Sequence, residues 1–188
     1  MLYIETFYYK TGLFTNNEIR LFMTLKKLTM MTDKQLNLWM KKAIDLSIRN
    51  VKYHGGPFGA VIVKDGKVIS TGVNRVTQSN DPTAHAEMTA IRKAAFKLKT
   101  FDLSGCEIFS SCEPCPMCLS AIYWAHINKI YYGNTQSDAK YIGFDDSFIY
   151  RELKLNPADR KVEMKQLLPD EAIHAFEDWR NKEDKVTY

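Results

Sequence analysis

Apolar side chains recur every three or four residues along four segments of the chain, and this spacing predicts amphipathic helices. The first helix follows an N-cap at position 32 or 33 and ends at residues 54–57, which read His-Gly-Gly-Pro. The second and third begin near Pro82 and Pro116, because proline is favoured in a first helical turn. The fourth helix is predicted over residues 170–181.

Shorter runs that are rich in β-branched and aromatic residues predict five strands. These runs are residues 58–63, 67–73, 106–111, 127–132 and 162–167. Asp65-Gly66 separates the first two runs and is a favourable hairpin turn. A hairpin followed by alternating helices and strands predicts the α/β fold class, as a three-layer α/β/α sandwich with a mixed central sheet and helices on both faces.

Residues 1–31 differ from the rest, because they are rich in aromatic residues at first and show no sustained periodicity. Two interpretations stay open for them. They are either a genuine N-terminal extension or a mis-assigned start, since Met23, Met30 and Met31 could each begin the protein. We therefore predict one domain over residues 32–188.

Composition and charge narrow the class of protein. The chain has 188 residues, of which 45% are hydrophobic and 26% charged, as in ordinary globular proteins. No stretch approaches the roughly 18 consecutive apolar residues of a membrane-spanning helix, and the first thirty residues lack the layout of a signal peptide. We therefore expect a cytoplasmic protein with no membrane partner. The net charge of +4 comes from interspersed signs, without the concentrated basic face expected for a nucleic-acid partner.

Candidate chemistry is concentrated around three cysteines that fall within seven residues, Cys112, Cys115 and Cys118. In a chain without a secretory signal, such crowding favours metal binding over a disulfide framework. Cys115 and Cys118 can bind one ion at a turn that enters a helix, where exposed N–H groups favour thiolates. His85 is predicted at the start of the preceding helix and can meet them there. One nitrogen and two sulfur ligands suit zinc.

The position of Cys112 in the sequence is compatible with two kinds of zinc site. As a fourth ligand it would complete a closed structural site. A strand that runs into Cys112 would instead direct its side chain into the core of the sheet, which favours an open site with water in the fourth position. Zinc lowers the pKa of such a water to about 7. Glu87 is too close to His85 in sequence to share the ion comfortably, but it can contact that water as a general base and then as a general acid.

The His-x-Glu and Pro-Cys-x-x-Cys spacings are those of zinc deaminases. Four motifs extend this likeness: GGPFGA at residues 55–60, SNDPTAHAE at 79–87, SCEPCPMC at 111–118 and GFDDSF at 143–148. With these motifs, residues 33–188 resemble the cytidine deaminase-like superfamily and, within it, the bacterial guanine deaminases. The resemblance implies zinc as cofactor, a small purine as substrate, and hydrolysis of guanine at C2 to xanthine and ammonia.

The resemblance also implies roles for particular residues. Zinc would be held by His85, Cys115 and Cys118, Glu87 would protonate ring N3, and Asp146 would assist proton transfer to the departing nitrogen. The substrate-binding residues would be Asn74, which hydrogen-bonds the purine, together with Ala86 and the aromatic residues Phe58, Trp124, Phe144 and Tyr188. For Trp124, packing in the core is nearly as good an interpretation. Relatives are homodimers, in which a C-terminal segment, here residues 170–188, closes over an active site of the same or the partner subunit.

Other functions remain open at this point. A tRNA adenosine deaminase uses the same zinc core, but residues 170–188 contain six carboxylates against Arg180, Lys182 and Lys185, and an acidic tail repels RNA. A nucleoside deaminase acting on guanosine or cytidine differs only in whether the pocket admits ribose, which the sequence does not show. A structural zinc protein with a closed Cys112 site is the non-enzymatic alternative.

Overall fold

A computed structural model of the protein describes residues 31–187. Most of the predicted N-terminal extension and the last residue, Tyr188, lie outside the described residues. The chain divides into two units, and the second, Trp39–Tyr188, contains all four strands of the described residues and all candidate site residues. Of the first unit, the described part is the beginning of one helix.

Four strands form one mixed sheet in the order β2-β1-β3-β4. They are β1 (Gly59–Lys64), β2 (Lys67–Val73), β3 (Cys106–Cys112) and β4 (Lys129–Asn134). Strand β1 is antiparallel to both β2 and β3, whereas β3 and β4 are parallel. The hairpin turn between β1 and β2 has positive φ angles at Asp65 (49°) and Gly66 (69°), as a two-residue type I′ turn requires. The predicted mixed sheet is therefore confirmed.

Seven α-helices accompany the sheet within residues 31–187. They are α1 (Asp33–Lys52), α2 (Val76–Ser79), α3 (Ala86–Leu98), α4 (Pro116–Trp124), α5 (Gln136–Tyr141), α6 (Ser147–Glu152) and α7 (Pro169–Asn181), with one 3₁₀ turn at Pro157–Asp159. Helices α1, α3, α4 and α7 correspond to the four predicted from periodicity. No helix in this described part is both long and apolar enough to cross a membrane.

Helices cover both faces of the sheet, as predicted. Ala60 of β1 pairs with Gly72 of β2, whereas Gly59 pairs with Val73, so the two glycines face opposite sides. A Cβ atom at Gly59 would collide with the backbone of α1 at Ala43, and one at Gly72 would collide with α3 at Ala86. The missing side chains thus allow one helix to approach each face closely. This arrangement is the predicted α/β sandwich with helices on both faces of a mixed sheet.

The prediction of a fifth strand over residues 162–167 is wrong. The segment has no strand pairing in the structure, and its apolar side chains are largely exposed, with Val162 at 75%, Met164 at 56% and Leu167 at 69%. A run of suitable residues forms a strand only where a neighbouring edge supplies backbone partners. Such an edge is absent for this segment within the described part of the chain.

Candidate active site

Two helix N-termini meet at the candidate site. His85 is the N-cap of α3 and Cys115 is the N-cap of α4, and both have extended backbone with side chains that make no capping hydrogen bond. Pro116 occupies the first turn of α4, where its missing N–H costs nothing. Cys118, in the first turn of α4, is fully buried. The positive ends of both helices therefore favour negative charge on the two thiols.

The three side chains converge on one point. His85 Nδ1 lies 3.5 Å from Cys115 Sγ and 3.6 Å from Cys118 Sγ. The ligand atoms of all three residues lie within 4.8 Å of one another. Tetrahedral zinc, at roughly 2.0 Å from nitrogen and 2.3 Å from sulfur, would hold a nitrogen and a sulfur ligand about 3.5 Å apart. The donor types and their spacing therefore fit a zinc ion.

The ionisation of the two thiols is coupled. Hydrogen bonding with Cys118, followed by the hydrogen bond that His85 donates, lowers the pKa of Cys115 to about 4. The same thiol–thiolate contact, together with burial, raises the pKa of Cys118. The hydrogen bond to Cys115 also raises the pKa of His85. A cation bound between the two sulfurs would favour the thiolate form of both.

Cys112 lies outside the group formed by His85, Cys115 and Cys118. Its Sγ atom is 3.6 Å from the carbonyl oxygen of Thr135, to which the thiol donates. Burial, followed by the charge of Glu87, raises the pKa of Cys112 to about 11, so this thiol stays protonated. A protonated thiol that points to a backbone carbonyl is not placed to be a fourth zinc ligand, and the geometry favours an open site.

Glu87 lies beside the candidate ligands and is only 5% exposed. Cys118 Sγ donates to its Oε2 at 3.4 Å, and Ser110 Oγ donates to its Oε1 at 2.8 Å. Burial raises the pKa of Glu87. A raised pKa makes a carboxyl group a better proton acceptor, which suits a general base that later returns the proton as a general acid. No motif in the sequence pointed to Ser110.

Three residues that the sequence connected with substrate lie together. The rings of Phe58 and Phe144 pack edge to face, with centroids 5.0 Å apart and planes at 89°. The backbone N–H of Asn74 donates to the carbonyl of Phe58 at 3.2 Å. The side chain of Asn74 is buried, and its Oδ1 accepts from the N–H of Val76 at 3.3 Å. Its Nδ2 has no hydrogen-bond partner among residues 31–187 and can therefore donate to a ligand.

The zinc-binding region of cytidine and deoxycytidylate deaminases matches residues 33–134 of this chain. The chain belongs to this family. Like its relatives it is a zinc-dependent hydrolase, and zinc is its cofactor.

The most similar proteins in the comparison include guanine deaminases. The chain is 49% identical to guanine deaminase of Bacillus subtilis over 151 residues, which cover 80% of this chain and 97% of the relative. A crystal structure of the Bacillus subtilis enzyme superposes with a TM-score of 0.79 at 47% identity, covering 84% of this chain and 99% of the other. The fit to a guanine deaminase from Nitrosomonas europaea gives a TM-score of 0.56 at 35% identity, covering 57% and 63% of the two chains.

The similarity to a tRNA-specific adenosine deaminase is shorter. For the protein from Aquifex aeolicus, 49% identity extends over 74 residues, which cover 39% of this chain and 49% of that relative. Within the deaminase family, the likeness to guanine deaminase thus spans the chain much more completely. The recognised family and its guanine deaminase branch are both confirmed by these comparisons.

Asn50 is a second residue of the deaminase that the motifs did not reveal. Its Nδ2 donates to the carbonyl of Gly56 at 2.8 Å and to the carbonyl of Asn74 at 2.7 Å. One buried amide therefore ties the loop before Phe58 to the segment that holds Asn74. A Cβ atom at Gly55 would collide with the Asn50 side chain, so the Gly-Gly pair permits this approach. In the sequence, only that glycine pair indicated that another part of the chain approaches the loop closely.

Asp146 is the residue before α6 and is partly buried. Burial, followed by the charge of Cys115, raises the pKa of Asp146. The charge of Asp146 in turn contributes to the raised pKa of His85. These mutual effects place the carboxyl group within electrostatic reach of the candidate ligands.

The remaining predicted substrate contacts are placed differently. Ala86 is fully buried in the core, so it offers no surface to a substrate in this chain. Trp124 is the last residue of α4, and about 9 Å of helix separates its backbone from that of Cys118, the nearest candidate ligand in the sequence. The Trp124 side chain is 64% exposed. Tyr188 lies outside the described residues.

Proposed function

We propose that this protein hydrolyses guanine to xanthine and ammonia, as a step in purine breakdown or salvage. The observation that supports a hydrolytic role best is the buried Glu87, whose Oε2 lies 3.4 Å from one of three converging zinc-type donors. The nature of the substrate is supported by the likeness to guanine deaminase, which spans 80% of the chain.

In this proposal His85, Cys115 and Cys118 hold the zinc ion. Bound zinc lowers the pKa of a water in the open position to about 7. Glu87 accepts a proton from water and delivers it to ring N3 as the oxygen bonds to C2. Asp146 assists the second proton transfer, from the hydroxyl now bonded to C2 to the amino nitrogen. The C2–N bond then breaks and the nitrogen leaves as ammonia, so guanine and water give xanthine and ammonia.

Substrate recognition follows from the groups that lie together. Asn74 Nδ2 would donate to an acceptor on the purine, because Oδ1 is occupied by Val76. The Phe58–Phe144 pair would contact the flat base, since aromatic edges and faces pack well against planar rings. Trp124 and Tyr188 would complete the enclosure, and their contribution depends on the dimer proposed below.

The proposed reaction is tested by measuring ammonia release from guanine, guanosine, cytosine, cytidine and an adenosine-containing tRNA anticodon stem-loop. We expect rapid release from guanine and at least about 10²-fold lower kcat/KM for the others, because a site built around one base leaves polar groups unpaired with another. Guanosine as the best substrate would make this a nucleoside deaminase. Absence of release from every compound, in a zinc-loaded sample, would contradict an enzymatic role on these substrates.

The adjacent aspartates Asp145 and Asp146 form a matched pair for testing the second proton transfer. We expect Asp146→Asn to lower kcat by about 10²-fold, since it removes one proton-transfer group. Asp145 instead accepts hydrogen bonds from Ser147, including one from its N–H, and pairs with Lys140 at 3.0 Å, interactions that lower its pKa to about 2.

Asp145→Asn should therefore leave kcat within about twofold, because the carboxylate acts in an exposed ion pair of small energetic value. Steady-state kinetics on both variants, with zinc content measured on the same samples, checks the expectation. Near-normal turnover by the Asp146 variant would remove this residue from the mechanism.

We also propose that the protein is a homodimer in which residues 170–188 cover an active site. Within the described chain, α7 and the segment after it leave large apolar side chains exposed: Ile173 at 47%, Phe176 at 74%, Trp179 at 44% and Val186 at 61%. Apolar patches of this kind are typical of interaction surfaces. A second copy of the chain would bury them and could receive the segment over its own site.

Deleting residues 186–188 should raise KM for guanine by about tenfold with little change in kcat, if this segment closes over bound base. The control is a chain that begins at residue 32, which we propose to be the complete deaminase domain and expect to retain full activity. Light scattering on each protein reports its oligomeric state. An unaffected KM after the deletion would refute the covering role, and a monomer at assay concentration would refute the dimer.

A cytoplasmic location is part of the same proposal. The candidate ligands Cys115 and Cys118 must remain reduced to bind zinc, and cytoplasmic thiols are kept reduced. Fractionation of cells that produce the protein would test this, and recovery in an extracytoplasmic fraction would contradict it.

A further inference from the structure

Ser110 lies in the middle of the sheet, on the face covered by α3, and is 1% exposed. Its neighbours on that face of β1 and β3 are the apolar residues Ala60, Ile62 and Ile108. A hydroxyl group buried among apolar side chains is unfavourable unless it makes a hydrogen bond. Its single side-chain hydrogen bond within the described residues is the one to Glu87 Oε1, at 2.8 Å.

The two oxygens of Glu87 therefore have different surroundings. Oε1 accepts from the Ser110 hydroxyl, on the side of the sheet, whereas Oε2 lies 3.4 Å from Cys118 Sγ, on the side of the candidate ligands. Rotation of the carboxyl group about its last bond would exchange the two atoms or turn both away. The hydrogen bond from Ser110 opposes this rotation.

We propose that Ser110 is a positioning residue that anchors Oε1 of Glu87, so that Oε2 is the oxygen that accepts and returns protons during deamination. The proposal rests on the function proposed above and assigns separate tasks to the two oxygens. Proton transfer is sensitive to the placement of the transferring atom, and a misplacement of about 1 Å can lower a rate by 10²-fold. Anchoring one oxygen keeps the other in place without contributing to substrate binding.

The neighbouring Ser111 provides a matched control. It is also buried, at 3% exposure, and its Oγ accepts a hydrogen bond from the N–H of Gly59 at 3.0 Å. Successive residues of a strand face opposite sides, so Ser111 points away from Glu87, towards the face covered by α1. Ser111→Ala thus removes a buried hydrogen bond of the neighbouring serine on the same strand without touching the carboxyl group.

We expect Ser110→Ala to lower kcat for guanine by about 10- to 100-fold, with KM within about threefold of the starting protein. Ser110→Thr keeps the hydroxyl and should restore at least half of kcat. Ser111→Ala should lose thermal stability to a similar degree as Ser110→Ala, with kcat within about twofold. In a Glu87→Gln background, adding Ser110→Ala should cost no further activity, because residues that act as a unit are not additive.

A second readout does not depend on turnover. Crystal structures of the zinc-loaded starting protein and of zinc-loaded Ser110→Ala should differ in the orientation of the Glu87 carboxyl group. An unchanged carboxyl orientation, an unchanged kcat in Ser110→Ala, or an equal loss of kcat in Ser111→Ala would overturn the proposal. If the starting protein releases no ammonia from guanine, the proposed function fails, and the carboxyl orientation alone decides the role of Ser110.

Discussion

Replacing Glu87 by glutamine should lower kcat by about 10²- to 10⁴-fold while zinc remains bound, the range that general acid–base groups contribute. The substituted side chain has nearly the same shape and can still accept the hydrogen bond from Ser110 through its amide oxygen. It cannot accept a proton from water or return one to the base. Since Glu87 is not among the three converging donors, its substitution should leave the metal site intact.

The control for this substitution is Glu107→Gln, on the same strand as Ser110 but near its opposite end. Glu107 is also a largely buried carboxylate, with its side chain 14% exposed, and it pairs with Lys129 at 2.6 Å. Its loss should reduce stability and leave kcat unchanged. Ammonia-release kinetics and metal analysis on both variants give the comparison. Equal losses of kcat would mean that Glu87 acts through stability, and loss of zinc from Glu87→Gln would make Glu87 part of the metal site.

The second large loss of activity is expected when one thiol is removed from the group formed by His85, Cys115 and Cys118. We expect Cys118→Ser to weaken zinc binding by more than about 10²-fold, because even the partners of metal ligands contribute 10- to 100-fold to affinity. Turnover should be abolished in the metal-depleted protein. Cys118 is fully buried beside Glu87, so a hydroxyl in its place cannot easily move to a compensating position.

Cys112→Ser is the matched comparison, since Cys112 is a buried cysteine that lies outside the converging group. We expect this variant to retain stoichiometric zinc and turnover. Adding zinc to metal-depleted samples should raise the melting temperature of the unsubstituted protein and of Cys112→Ser, but not of Cys118→Ser, because a ligand stabilises only the state that binds it. Loss of zinc from Cys112→Ser would instead favour the closed structural site.

Most helices and strands could be predicted because their signals are local. Proline at Pro116 and the Asp65-Gly66 turn act within a few residues, and periodicity marks which face of a helix will be buried. The strand prediction for residues 162–167 was wrong because strand formation is not decided locally. Pairing of a strand depends on an edge supplied by distant residues, which no local pattern contains.

The polar contacts around the site also depend on residues that are distant in the sequence rather than on local signals. Asn50 contacts Asn74 across 24 residues and Ser110 contacts Glu87 across 23, and both are common polar residues without a motif of their own. The substrate contact of Trp124 stays a prediction, since its side chain is exposed at the last residue of α4. Local sequence does not specify which distant side chains a polar group will meet.

By itself, the sequence determined the ligand chemistry. The candidate ligands His85, Cys115 and Cys118 lie at or near the starts of two helices. Cys115 and Cys118 are three residues apart, so helix geometry brings both sulfurs to one side, and one nitrogen with two sulfur ligands suits zinc. Only the tertiary structure decided that Cys112 turns to the Thr135 carbonyl and that Ser110 holds Glu87. Those contacts depend on how strands and helices pack, because packing sets distances between residues that the chain separates widely.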